Sequence, residues 1–299
     1  MECQICFVTY GKSAFEQHSI ECMDSQLKLM EGFKPKIEIT ELKLTPVQIA
    51  VVDTAIKKSK HYSKNVKELL RGKIISMGYK KTDIRIVEKY FKTIKTIMHF
   101  RAESLMKLLC DDTHFRNLFE INKSGGSSNC TARSSWENNM FRSAYKDAKP
   151  FDKVKYGTLN IFASSYGVKS AHGYGTSYFI LKDHNHERVT YVHGDSSLKE
   201  MHIGSYKGFY HIIYYLKDNV LKSLLEKIIN NVEPDDKISF SYIEAQIHGE
   251  LQLNRDIEKV VIADNLYNNK TVTENIDDFC KKNNCCWSFV SKSKENLLY

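Results

Sequence analysis

The run Tyr242-Ile243-Glu244-Ala245-Gln246-Ile247-His248 alternates apolar and polar side chains. At the two-residue period of a strand, Ile243, Ala245 and Ile247 share one face and Glu244, Gln246 and His248 the other. A carboxylate, an amide and an imidazole held in line on rigid backbone can project into a cleft. The plainer alternative is an edge strand whose polar face meets water. Gly249 and Glu250 end the run.

Three further groups of residues carry chemistry-bearing types. Phe115-Arg116 is followed by the loop Ser124-Gly125-Gly126-Ser127-Ser128-Asn129. An arginine beside exposed backbone N–H groups can hold a phosphate or pyrophosphate; otherwise it is a solvated or salt-bridged arginine. In Gly173-Tyr174-Gly175-Thr176-Ser177-Tyr178-Phe179, two hydroxyls open a strand after a permissive glycine turn. They can bond a ribose or position a carboxylate; the alternative is an ordinary strand start. Finally, Cys3-x2-Cys6-x11-His18-x3-Cys22 has metal-ligand spacing. Two cysteines on a tight knuckle supply one edge of a tetrahedron, and a histidine and a cysteine one helical turn apart supply the other. Four protein ligands leave no open position, so this zinc is structural. Tyr10 and Phe15 stand where a small finger keeps its apolar core.

The scattered His184, His186, His193, Asp195, His202 and His211 suggest a metal centre by residue type, but they form no helical His-Glu-x-x-His arrangement, and a catalytic metal is not favoured. Cys285-Cys286 lacks knuckle spacing and is assigned to packing.

The chain must supply elements that position these groups. Its 299 residues suffice for two domains or for one with appendages, and 42% hydrophobic residues allow a sizeable core. The net charge of +8 is spread out and does not by itself argue for nucleic acid. No window approaches the roughly 18 consecutive apolar residues of a membrane span, so no membrane partner is expected. With no apolar leader and no even cysteine lattice, the expected compartment is the cytoplasm, with the nucleus as alternative.

Residues 25–44 read as a polar linker around Pro35. Thr45-Pro46 caps and opens a helix. A second helical stretch begins near Ser63, and a third, opening at Thr82-Asp83, carries its apolar spacing to Phe100. A strand is expected over His114–Glu120 and a helix start at Trp136. Short strands are expected over Tyr156–Phe162, Tyr174–Leu181 and Val189–Val192, the last two able to pair through residues 183–187. Residues 207–230 read as helical, Ser239–Leu253 and Lys259–Ala263 as strands, and 272–283 as a closing helix. The expected organisation is a finger over 1–24, the linker, a helical segment over 45–112 and an α+β domain over 113–299.

From about 113 to 265 the chain resembles a bacterial family known only as a domain of unknown function. The residues that carry this are Phe115-Arg116-Asn117-x-Phe119-Glu120, Ser128-Asn129, Arg133 with Trp136-Glu137, and Met140-Phe141 with Tyr145. They continue through Lys155–Asn160, Tyr174–Tyr178, Arg188-Val189-Thr190, Gly194-Asp195-Ser196 and Ile243–Gly249. That family resembles the arginine–serine–glutamate ADP-ribosyltransferases and includes an effector-type enzyme that acts on ubiquitin. The resemblance implies an ADP-ribosyltransferase-like split β-sheet core, with NAD as substrate. It implies that Arg116 is the first-strand arginine gripping NAD, Ser177 the middle-strand serine and Glu244 the catalytic glutamate.

Around these, Thr176, Asn129 and Arg133 are expected near the cofactor, and Tyr178 or Phe179 against the nicotinamide. Gln246 joins Glu244 as a catalytic candidate. The chain departs from the pattern in Gly175-Thr176-Ser177, where Ser-Thr-Ser is usual. It departs again in Glu244-x-Gln246, which leaves a single carboxylate and the acceptor-choosing residue unassigned. The finger resembles C2HC fingers, including the ubiquitin-binding kind. The implied function is transfer of ADP-ribose from NAD to a protein side chain, with ubiquitin as a candidate acceptor. Two rivals differ in class: a catalytically inactive finger protein binding ubiquitin or nucleic acid, the latter not favoured, and an NAD glycohydrolase with water as acceptor.

Overall fold

The structure, a computed structural model, describes residues 41–122, 129–197, 202–235 and 242–293. The finger ligands Cys3, Cys6, His18 and Cys22, most of the linker and most of the Gly/Ser loop therefore lie outside the described residues. So do residues 239–241 of the expected strand before Glu244.

Helix α1, Pro46–Ser76, opens as its sequence dictates. The Thr45 hydroxyl accepts from the Gln48 backbone N–H at 3.3 Å, and the Gln48 side chain accepts from the Thr45 N–H at 2.8 Å. This capping box satisfies two otherwise orphaned donors, and Pro46 needs none. The two expected helical stretches are one continuous 31-residue helix. Its buried side carries small residues where other chain segments come close. Ser59 Oγ lies 2.6 Å from Ser205 Oγ, and Ser63 Oγ accepts from the Tyr210 N–H at 2.9 Å.

The third expected helix is met only as α2, Ile84–Phe91. Thr96–Phe100 is strand β1, and it is buried at four of its five positions. A strand buried on both faces shows no alternation, so its apolar run imitated a continuing helix. Next come α3, Ala102–Asp111, and a short α4, Leu118–Ile121. The strand expected over His114–Glu120 does not form, beyond one bridge from His114 to Gln252. Asn117 accepts from the Phe119 N–H at 2.9 Å and Glu120 from the Asn117 N–H at 2.8 Å. The spacing Asn117-x-x-Glu120 is thus a helix cap. Trp136 falls inside α5, Cys130–Phe141, which starts earlier because Asn129 caps it.

The remaining strands are β2 (Lys155–Leu159), β3 (Ser177–Leu181), β4 (Val189–His193), β5 (Gly204–Ser205), β6 (Ile243–Ile247), β7 (Ile257–Ile262) and β8 (Cys286–Phe289). Helices α6 (Tyr210–Tyr214) and α7 (Asp218–Asn230) fall between β5 and β6; α8 (Leu253–Asp256) precedes β7 and α9 (Lys270–Asn283) precedes β8. The strands form one mixed sheet in the order β5-β4-β6-β2-β1-β3-β7-β8, antiparallel except where β7 meets β8. The fold is α+β. The hairpin expected between β3 and β4 is absent: β3 pairs with β1 and β7, and β4 with β5 and β6.

The join between β2 and β1 positions the site. They pair only at Thr96 with Leu159 and Ile97 with Thr158. Beyond that, Met98 to Phe100 continue along β3 and Lys155 to Gly157 along β6. The sheet therefore forks into two four-stranded halves. Gly157 stands at the fork, where a Cβ would come within 2.6 Å of the Ile97 carbonyl oxygen. Glycine permits that close approach.

Candidate active site

A cavity of about 380 Å³ opens at the fork, walled by the diverging ends of β1 and β2 and by Glu244 of β6. Strand β6 is an inner strand, not an edge, and all five of its residues are buried. Its apolar face packs into the core, and its polar face forms a hydrogen-bonded line. Gln246 Nε2 donates to Glu244 Oε1 at 2.9 Å, and the Thr190 hydroxyl donates to Gln246 Oε1 at 2.9 Å. Thr190 has thereby used its only proton. His248 Nε2, 3.1 Å from Thr190 Oγ1, must then donate, and His248 Nδ1 accepts from the Tyr145 hydroxyl at 2.7 Å. Burial pushes the His248 pKa down to about 3, which keeps it in this neutral tautomer. Gln246 and His248 are fully buried behind Glu244. Neither lines the cavity, so their part is to hold the carboxylate.

The other carboxylate oxygen, Glu244 Oε2, accepts from the Ser196 backbone N–H at 3.3 Å and the Ser196 hydroxyl at 3.2 Å. Glu244 is 4% exposed and has no hydrogen-bonded cation among the described residues. Burial is the main reason its pKa rises to about 7; nearby Asp195 adds to it, and the Gln246 and Ser196 bonds oppose it. Glu137 of α5 behaves alike. Burial raises its pKa to about 7, and its Oε1 accepts from the Tyr156 hydroxyl at 3.0 Å. Its Oε2 has no hydrogen-bond partner among the described residues and lies 3.9 Å from Lys153 Nζ.

Three arginines line the cavity. Arg133 is buried, with its guanidinium 4.3 Å from the centre of the Tyr156 ring and 5.1 Å from that of Trp136. Burial alone would lower its pKa, but Tyr156 and Glu244 outweigh that and raise it. Arg116 sits in the loop between α3 and α4, exposed and bonded to Asp112 Oδ1 through Nε at 2.9 Å and Nη2 at 2.5 Å. Arg101 directly follows β1 and donates through Nη2 to the Gly173 carbonyl at 3.0 Å. It has no carboxylate partner among the described residues. Arg101 thus stands just past the end of the first strand of the sheet, a place that the helical reading of this stretch had hidden.

The remaining expected contacts fall elsewhere. Ser177 is buried, its hydroxyl accepting from the Ala263 N–H at 3.1 Å, so it pins β3 to the end of β7. Thr176 is exposed and Asn129 caps α5; neither lines the cavity. Tyr178 and Phe179 are core residues. Tyr178 donates to the Ser165 carbonyl at 2.8 Å, and Phe179 stacks on Phe100 at 4.2 Å between ring centroids. The aromatic residues that do line the cavity include Tyr156, Tyr174 and Tyr242. Tyr242 stands two residues before Glu244, and its hydroxyl donates to Asp195 Oδ2 at 2.5 Å. The Tyr174 and Tyr242 hydroxyls lie 3.0 Å apart. Asp195 Oδ1 accepts from the Ser197 N–H at 2.8 Å. Burial works against ionised Asp195, but the bonds from Tyr242 and Ser197 prevail and its pKa is lowered. The turn at 195–197 thus carries one carboxylate and braces another.

Residues 97–235 match a family model described as a protein of unknown function (DUF3626). That match opens inside β1, where the sheet begins, and ends before β6. No curated protein matches the chain. No described helix is long and apolar enough to cross a membrane.

Proposed function

We propose that this protein is an NAD-dependent mono-ADP-ribosyltransferase that modifies a protein side chain. One observation carries the reading: Glu244, a buried carboxylate with no hydrogen-bonded cation among the described residues, faces a cavity that also holds Arg101, Arg116 and Arg133. Such a site suits a ligand with anionic phosphates at one end and a developing cation at the other. Breaking the bond between nicotinamide and ribose builds oxocarbenium character on the sugar, which an ionised Glu244 stabilises. Arg101 and Arg116 hold the pyrophosphate, which orients the ribose.

A fork that opens a cleft beside Glu244, with Arg101 at the end of β1 and Ser177 at the start of β3, supports a split-sheet ADP-ribosyltransferase reading. In this reading Arg101 takes the first-strand role and Arg116 supports it from the rim. Ser177 fixes the β3 wall from behind, and Tyr156 meets the nicotinamide. The resemblances of the finger and of the 113–265 region both favour ubiquitin as the first acceptor to test. Zinc bound by Cys3, Cys6, His18 and Cys22 would serve as the structural metal of that finger.

The test is transfer of label from adenylate-labelled NAD to purified ubiquitin and to proteins of a cell extract. The full chain is expected to label a protein, and Glu244→Gln to lower the rate at least 100-fold, the scale of a lost transition-state charge contact. Free ADP-ribose without protein label would make it a glycohydrolase. No consumption of NAD in either assay would overturn the reading.

A further inference from the structure

Asp195, Tyr242 and Tyr174 form a second hydrogen-bonded line, whose tyrosines line the cavity with Glu244, and its direction is fixed by donor count. The Tyr242 hydroxyl gives its one proton to Asp195 Oδ2 at 2.5 Å. Its oxygen must therefore accept at the 3.0 Å contact with Tyr174, whose own proton is then committed. The Tyr174 oxygen keeps its lone pairs free to accept from a group in the cavity, which both tyrosines line. Asp195 Oδ1 is anchored by the Ser197 N–H at 2.8 Å, so the far end of the line is fixed in place. Glu244 lies two residues from Tyr242 on the same face of the strand, with Ser196 bonded to it. Tyr174, Tyr242 and Glu244 line the same cavity, so a sugar carbon held at Glu244 shares that space with the tyrosine hydroxyls.

We propose that this line is the proton outlet for the acceptor nucleophile, with Asp195 acting through Tyr242 and Tyr174. The inference rests on the transferase reading above. It assigns the acceptor class as a protic side chain, one that must lose a proton as it attacks, and excludes a carboxylate. The step balances. The acceptor heteroatom bonds to the ribose carbon as the bond to nicotinamide breaks, and that electron pair neutralises the pyridinium nitrogen. The acceptor proton passes to the Tyr174 oxygen, the Tyr174 proton to Tyr242, and the Tyr242 proton to Asp195. Nothing is oxidised or reduced. The pattern of one carboxylate kept ionised beside another held near neutrality is the usual division of labour between paired acids.

The experiment measures labelled-NAD transfer by the full chain, with purified ubiquitin and with cell extract, alongside NAD binding by calorimetry. Variants are Asp195→Asn, Asp195→Ala and Tyr242→Phe, the last keeping the ring and removing only the hydroxyl. Expected is a loss of transfer of about 100-fold or more in each, the range of a general-base contribution, with NAD affinity within twofold of the parent. Added formate should restore transfer to Asp195→Ala, which a merely structural role would not allow. Transfer by Tyr242→Phe and Asp195→Asn above half the parental rate would overturn the relay. So would loss of NAD binding in step with transfer, or no rescue by formate. Failure of the parent chain itself to consume NAD would instead overturn the transferase reading and this inference with it.

Discussion

Strand β6 joins two buried charged regions that are built on opposite principles. At its N-terminal end Glu244 is bonded to an amide and to Ser196, with no bonded cation among the described residues. Beyond its C-terminal end, in α8, Asp256 is fully buried and bonded by two arginines and a histidine. Arg255 reaches it at 2.7 Å, Arg188 at 2.9 Å and His184 at 2.8 Å. Arg188 also donates to the His248 carbonyl at 2.6 Å and the Glu250 carbonyl at 2.8 Å, tying β6 to the segment before β4. Burial works against the Asp256 charge, but the Arg255 bond and the nearby Arg188 outweigh it, and its pKa is lowered. For Glu244 burial wins, and the pKa rises to about 7. A compensated buried acid locks chain segments together; an uncompensated one beside a cavity is left to meet a ligand.

The largest expected effect comes from breaking the compensated side. Asp256→Ala leaves Arg188 and Arg255 buried without their shared carboxylate, and should cost about 3–5 kcal/mol of stability, read from denaturant unfolding. A cost under about 1 kcal/mol would show that the two arginines are held by carbonyls alone.

Next comes the pH dependence of the uncompensated side. The folded chain holds the Glu244 proton up to about pH 7, whereas the unfolded chain releases it near the ordinary value of 4.5. The folded state therefore binds more protons in that window, and stability falls as pH rises through it. Asp256 has the opposite sign: its contribution is present above the unfolded value of 3.8 and is lost as pH falls through the lower folded one. Glu244→Gln should remove part of the high-pH loss and stabilise the chain at pH 8 by roughly 3 kcal/mol at most. Unfolding series at pH 5 and pH 8 would check this; an equal effect of the substitution at both would contradict it. Transfer activity of the parent should rise with pH through about 7, as Glu244 ionises.

The smallest effect sharpens the role of Gln246. Gln246→Met keeps the volume but removes the donor to Glu244 Oε1. Loss of a hydrogen bond to a charged group should cost about 1.5–3 kcal/mol at pH 8, and the rising limb of activity should move to higher pH. An unmoved limb would mean that Ser196 alone orients Glu244.

Much of this was legible in the residues. The alternation over 243–247 gave the strand and its polar face, and Thr45-Pro46 gave the start of α1. Arg116 and Arg133 do line the cavity with Glu244. Tyr178 and Phe179 do not, because β3 is an inner strand whose buried side chains are taken up by the core, and Thr176 stands exposed just before it. Arg101 was missed because β1 is buried almost throughout, and an apolar run without alternation cannot be told from a helix by period alone. The capping signal Asn117-x-x-Glu120 was readable and passed over.

By itself, then, the sequence determined which side chains of β6 share a face, because backbone period is a local property. It determined the helix caps for the same reason. Only the tertiary structure decided that β6 is an inner strand, that β1 and β2 part after two residue pairs, and that Arg101 and Asp195 belong with Glu244. Those facts depend on strand order and on where a ladder ends. Contacts between residues 50 to 92 positions apart set both, and no local pattern records them.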